Sequence, residues 1–254
     1  EEVGDNQEAA KELKTLFEHP PFDTPKPTRL IKKMIELSTN PNNNDIILDF
    51  LAGSGTTGHA TMSKNFEDQG NRKFILVQLP EKINNEIVRK SFSSIAEICK
   101  ERMKRVIQNF NEKLKQTKID ETKMDSGLKV FKLAKSNYKV WENVKDETQL
   151  KEQLTLFENP LIENYKDIDV IYEIIIKEGY SLNSKIEEIS VKTNKIYKIS
   201  DEDFFFYVTL DKQLKQESLE KLKLDENIMF VCMDSAIDDS LKTNLNQQCK
   251  LKTI

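Results

Sequence analysis

The segment EAAKELKTLF, residues 8–17, repeats its apolar positions every three to four residues and predicts a short helix. A second helix is predicted over RLIKKMIELS, where Leu30, Ile31, Met34, Ile35 and Leu37 recur near helical spacing and Thr28 stands as its cap. After the turn cluster NPNNND the pattern changes, and IILDF at 46–50 predicts a short buried strand. Gly53, Gly55 and Gly58 follow, then a helix from near Thr57, a turn at EDQGNR and a second strand, KFILVQL. Strand, helix and strand in that order predict a parallel pair with a right-handed crossover.

Residues 92–114 set Phe92, Ile95, Ile98, Met103, Val106, Ile107, Phe110 and Leu114 along one helix face. The intervening CKERMKR and NEKLKQ read as a solvated charged face rather than a DNA contact. TKIDETKMDSG, at 117–127, is polar and reads as a linker. Beyond it, DVIYEIIIKEGY predicts a helix, IEEISVKTNKIYKI a hairpin turning at Thr193–Asn194, and FFFYVTL a strand. QESLEKLKL then reads as helix, IMFVCMD as strand, DSLKTNLNQQC as helix and KLKTI as a last strand. This alternation predicts a partly parallel sheet covered on both faces. Met229, Met233 and the run Phe204-Phe205-Phe206 read as core.

Composition narrows the class. The 254 residues suffice for one large domain or two small ones. No stretch approaches the roughly 20 apolar residues of a membrane span, and no secretory segment opens the chain. Cys99, Cys232 and Cys249 are scattered without metal-site spacing, and only His19 and His59 could join them, so no metal site is expected. Unpaired cysteines fit a reducing cytoplasm. The net charge is −4, unlike a free-standing nucleic-acid binder, but it divides as +2 over residues 1–150 and −6 over 151–254. Only the first part suits a place beside phosphates.

The glycine loop carries the chemistry. LDFLAGSGTTGHA follows a strand and opens a helix with G-x-G-x-x-G spacing, where free amides and the positive helix end favour an anion. A nucleoside triphosphate would want a P-loop lysine, which GSGTTGHA lacks. A dinucleotide and S-adenosylmethionine remain, and the flanks decide between them. Asp49 to Thr57 resembles the first motif of amino-group DNA methyltransferases, whose ligand is S-adenosylmethionine. Upstream, FDTPKP resembles their partner motif His-Pro-Thr-Gln-Lys-Pro: Thr24, Lys26 and Pro27 match, while Phe22-Asp23 replaces His-Pro and Pro25 replaces Gln. A lysine in a loop stiffened by four prolines between 20 and 27 suits the methionine carboxylate.

GDNQEAAKELKTLFE, FDTPKPTRLIKKMIEL, DFLAGSGTTGHATM, GNRKFILVQLPE and IAEICKERMKR, in that order, resemble the modification subunit of type III restriction-modification systems. GLKVFKLAKSNYKVW and DVIYEIIIKEGY resemble its C-terminal part. The resemblance implies an α/β fold in three parts: the cofactor-binding half of a Rossmann-like methyltransferase sheet at 1–118, a linker and connecting strand at 119–150, and a smaller C-terminal α/β assembly domain at 151–254. It implies methyl transfer from S-adenosylmethionine to adenine N6. It also implies duplex DNA, a second modification subunit and a restriction subunit as partners, and no membrane. The implied cofactor residues are Thr24, Lys26, Pro27, Asp49, Phe50, Gly53, Ser54, Gly55, Thr56, Thr57 and Gln78, the last at the usual ribose-contacting place with Glu81 three residues on.

One part of the family pattern is missing. The Asp-Pro-Pro-Tyr slot that grips a flipped adenine has no match, because the only Pro-Pro, in HPPF at 19–22, runs straight into the lysine motif and reads as a stiff lead-in. The chain is therefore expected to begin after the target-recognition region of a longer subunit and to carry no catalytic residue of its own. Two other classes stand beside this reading. One is a non-catalytic module for dimerisation or restriction-subunit docking, with a vestigial cofactor loop. The other is a nicotinamide-dependent oxidoreductase. His59 reads as a packed or solvated side chain rather than a general base.

Overall fold

The computed structural model describes residues 3–17, 21–22, 24–116, 127–191 and 193–254. The chain is mixed α/β and divides into two compact units, Glu1–Phe131 and Lys132–Ile254. In the first, α1 (Asn6–Phe17) and α2 (Thr28–Ser38) precede β1 (Ile46–Asp49), and α3 (Thr56–Asp68) leads to β2 (Lys73–Leu76). α4 (Glu86–Arg89), which the apolar pattern does not reveal, and the long α5 (Ile95–Gln116) follow. β1 and β2 pair in parallel, with Ile46 opposite Lys73 and Asp49 opposite Leu76. His19, Pro20, Asp23 and most of the expected linker at 117–127 lie outside the described residues.

Two apolar clusters hold these elements. Leu13 and Phe17 of α1 pack with Ile83 and with Ile98 of α5. Met62 of α3 meets Met103, Val106 and Phe110 of α5, with Phe74 and Leu76 of β2 packed against them. At the far end of the strands, the guanidinium of Arg72 donates to Thr39 Oγ1 at 2.7 Å and to both Asp68 oxygens at 3.0 Å, tying α2 to α3.

The strands are not buried on both faces as the sequence suggests. Phe74 and Leu76 turn inward, whereas Ile46, Leu48, Phe50, Ile75, Val77 and Leu79 are 48–68% exposed. The stretches Ile46-Ile47-Leu48 and Phe74-Ile75-Leu76-Val77 are apolar without a break, so their period cannot tell a covered face from an open one. Parallel sheets are ordinarily covered on both faces, and a lone two-stranded sheet is marginal. Thr28 is likewise not the cap: Pro27 holds that position without a side-chain bond, and Thr28 begins the helix.

In the second unit the expected connecting strand is a single bridge, Tyr138 to Leu161. α6 (Glu147–Leu156), unforeseen from the pattern, is capped by the Asp146 carboxylate, which accepts from Gln149 N–H at 2.9 Å. Then come α7 (Asp167–Lys177), β3 (Lys185–Val191), β4 (Asn194–Asp201), β5 (Phe204–Val208), α8 (Gln216–Leu219), β6 (Met229–Cys232), α9 (Asp239–Gln248) and β7 (Lys250–Thr253). The sheet runs β3-β4-β5-β6-β7, antiparallel through β5 and parallel from β5 to β7. The hairpin closes with Val191 opposite Asn194, one residue earlier than the sequence suggests. Ile196, Ile199, Phe206 and Phe230 form its core with Val170, Ile171 and Ile175 of α7. Met229 and Met233 are buried as expected, but Phe204 is exposed: it stands at the open end of β5, on the same face as the buried Phe206 two residues on. Among the described residues no helix is long and apolar enough to cross a membrane.

Candidate functional site

The loop between β1 and α3 turns on its glycines. Gly55 caps α3 in the left-handed region, at φ 83°, a conformation that costs a residue with a Cβ. Gly58 answers a different need, since a Cβ there would come within 2.8 Å of Met103 Sδ and 2.9 Å of Leu76 Cδ1. Its absence lets α3 lie close on β2 and α5. The Gly55 amide closes the turn on the Ala52 carbonyl at 2.8 Å.

Side chains then fix the loop from both strand ends. Asp49, last in β1, accepts the Thr57 hydroxyl at 2.6 Å through one oxygen and the Leu51 amide at 3.1 Å through the other. Gln78, just beyond β2, accepts the Gly53 amide at 2.7 Å. Both bonds bring the loop back over the strand ends, beside the start of α3, whose first-turn amides have no helical acceptor.

That edge carries a cleft of about 280 Å³, lined by Phe22, Thr24, Pro25, Lys26, Ile31, Asp49, Leu51, Ala52, Gly53, Ser54, Thr56 and Thr57. Seven of the eleven sequence-derived site residues therefore share one lining. Pro27 stands next to it as the cap of α2, Gly55 is packed behind it, and Gln78 is spent on the loop backbone. Phe50 fills neither core nor cleft, because it points to the open sheet face at 68% exposure. Lys26 is exposed, and no ion-pair partner is recorded for it among the described residues. By contrast Lys32 is bonded to Glu67, and Lys33 lies 3.4 Å from Glu36.

Beneath the loop lies a residue that the sequence reading placed in solvent. Arg102 of α5 is wholly buried. Its Nη1 donates to Ser54 Oγ at 3.0 Å and Thr56 Oγ1 at 2.8 Å, and its Nη2 donates to Thr28 Oγ1 at 3.2 Å. Nη2 also lies 3.2 Å from His59 Nδ1 and 4.0 Å from Glu12 Oε2. Burial pulls its pKa down to about 10, with Glu12 opposing, so it stays cationic at neutral pH. A signal was available: Arg102 stands four residues after Ile98 and four before Val106, on the stripe that faces inward.

His59 is a packed side chain. Burial first, then the charges of Arg102, Lys32 and Lys113, push its pKa down to about 3. Arginine only donates, so His59 Nδ1 accepts and the ring proton sits on Nε2. Cys99, whose Sγ would lie 3.0 Å from a Cβ at Gly55, is raised to about 11 by burial and is inert packing.

Comparison with known proteins fits this geometry. Residues 4–90 match the model of a DNA methylase family. The chain is 40% identical over 134 residues to the Mod subunit of the type III restriction-modification enzyme StyLTI of Salmonella typhimurium, a match covering 52% of this chain and 20% of that one. It is 26% identical over 261 aligned positions to the EcoPI Mod subunit of Escherichia phage P1, covering 97% and 38%. The type II methyltransferase M.KpnI of Klebsiella pneumoniae is 36% identical over 106 residues, covering 41% and 25%. The chain thus spans well under half the length of these relatives.

Proposed function

We propose that this chain, whose residues 4–90 match a DNA methylase family and which is similar to type III Mod subunits, is the cofactor-binding and C-terminal portion of an adenine-specific DNA methyltransferase. The observation that carries the reading is the meeting of two separated motifs. Lys26, before α2, and the loop from Gly53 to Thr57 line one cleft.

S-adenosylmethionine fits what lines that cleft. Its carboxylate matches the Lys26 ammonium, the Ser54 and Thr56 hydroxyls and the start of α3. Its ammonium matches Asp49, the one acidic side chain in the lining among the described residues. Phe22, Ile31 and Leu51 offer apolar walls for the rest. When bound, the cofactor supplies the activated methyl group. The residues of this chain hold and orient it, and the Gln78 bond to Gly53 keeps the loop in place beside the ribose end.

The cleft is also small. Ligand pockets usually hold about 300–1,000 Å³, and 280 Å³ suits one side of a site completed by another segment. The open apolar face of β1 and β2 supports the same reading, since the other segment would cover it. That segment would bring the adenine slot and the target-recognition region. Duplex DNA, a second modification subunit and a restriction subunit are the partners this proposal implies, in a Rossmann-like sheet completed across the open strands.

The test is transfer of a labelled methyl group from S-adenosylmethionine to mixed-sequence duplex DNA. The 254-residue chain alone is expected to incorporate none, and co-expression with the N-terminal portion of its subunit is expected to restore transfer. Incorporation by the chain alone, lost on His19→Ala, would instead place catalysis in HPPF.

A further inference from the structure

Arg102 touches four segments at once: α2 through Thr28, the glycine loop through Ser54 and Thr56, α3 through His59, and α1 at longer range through Glu12. Its Nε is buried without a partner among the described residues. A buried guanidinium kept for stability alone would be expected to use all its donors, because an orphaned one gives up its hydration with no bond in return. The placement instead serves the groups at its tip.

The direction of those bonds has a chemical consequence. A guanidinium cannot accept, so every hydroxyl it meets must use a lone pair and send its own proton elsewhere. The Thr28 proton goes to Glu12 Oε2 at 2.6 Å. For Ser54 and Thr56 no protein acceptor is recorded among the described residues, and both line the cleft. That leaves the ligand side as the direction open to their protons. The charge itself is partly offset by Glu12, 4.0 Å away, so orientation of the two hydroxyls matters more than the bare cation.

We propose that Arg102 is a positioning residue that fixes the Ser54 and Thr56 hydroxyls as hydrogen-bond donors toward the cleft, so that this end of the site selects a carboxylate. The assignment rests on the cofactor reading above. It predicts a selective effect. Ligands with the carboxylate depend on Arg102, and those that present only the adenosine and thioether do not.

The experiment compares S-adenosylmethionine with 5′-deoxy-5′-methylthioadenosine, which lacks the amino-acid end, by calorimetric titration of the 254-residue chain. Arg102→Lys is expected to weaken S-adenosylmethionine about tenfold and to leave methylthioadenosine within about twofold. Ser54→Ala keeps the guanidinium bound to Thr56 and is expected to show the same selectivity, more weakly; added to Arg102→Lys it should cost little more. If Arg102→Lys fails to fold by thermal unfolding, Ser54→Ala alone reads the preference. Equal loss for both ligands, or an unchanged preference in folded variants, overturns the assignment. A wild-type chain that binds neither ligand overturns the cofactor reading itself.

Discussion

Asp49 and Thr57 clasp the two ends of the glycine loop, carboxylate to hydroxyl at 2.6 Å, across eight residues of sequence. The strand end thereby sets where the helix begins. Thr57→Val keeps the shape and removes the donor, leaving a carboxylate oxygen without that partner. A hydrogen bond to a charged group contributes about 1.5–3 kcal/mol, so a loss of stability of about 2 kcal/mol is expected by urea unfolding. Thr24→Val, at the exposed side of the cleft, should be near neutral.

Lys26 differs from its neighbours in having no ion-pair partner recorded among the described residues, while Lys32 and Lys33 are bound to Glu67 and Glu36. Lys26→Met should weaken S-adenosylmethionine binding by about 1.5–3 kcal/mol, the range of a charge-assisted hydrogen bond. Lys33→Met should leave it unchanged. Equal losses in a fluorescence titration would show that general positive charge, not this lysine, attracts the ligand.

The outer face of β1 and β2 predicts how the chain behaves by itself. Leu48→Lys replaces a side chain 58% exposed, so stability should change by less than about 0.5 kcal/mol while light scattering at high concentration falls. Phe74→Ala, half-buried on the packed face, should cost about 2–3 kcal/mol. A large loss from Leu48→Lys would mean that the face is already covered in the free chain.

His59 predicts a pH dependence. Its pKa is pushed from 6.5 in the unfolded chain to about 3 in the folded one, so below pH 6.5 the unfolded state takes up a proton that the folded state refuses. Stability is then lost as pH falls from 6.5 toward 3, by up to about 1.4 kcal/mol per pH unit. His59→Asn keeps an acceptor for Arg102 and removes the titration. Its melting temperature should fall less than the wild type's between pH 7 and pH 5, and parallel curves would contradict the assignment.

What could be read from sequence depended on how local each signal was. The glycine loop, its strand and its helix are consecutive, and turn chemistry places them within a residue or two. Thr24 and Lys26 were legible as a motif, but only the fold brings them to the cleft beside Asp49 and Ser54. Arg102 was hidden because ERMKR looks like any solvated charge run, and its burial is settled by segments distant in sequence. The open face escaped notice for the opposite reason: the unbroken apolar stretches of these strands read as buried whether or not anything covers them. Phe50 lies on that same open face, outside the cleft lining.

The central claim is that the cleft between Lys26 and the glycine loop binds S-adenosylmethionine, and calorimetric titration of the chain with S-adenosylmethionine and with NAD tests it most directly. One S-adenosylmethionine per chain, weakened in Lys26→Met, with no heat from NAD, is the predicted result. Binding of NAD in preference, or S-adenosylmethionine binding indifferent to Lys26, would contradict it.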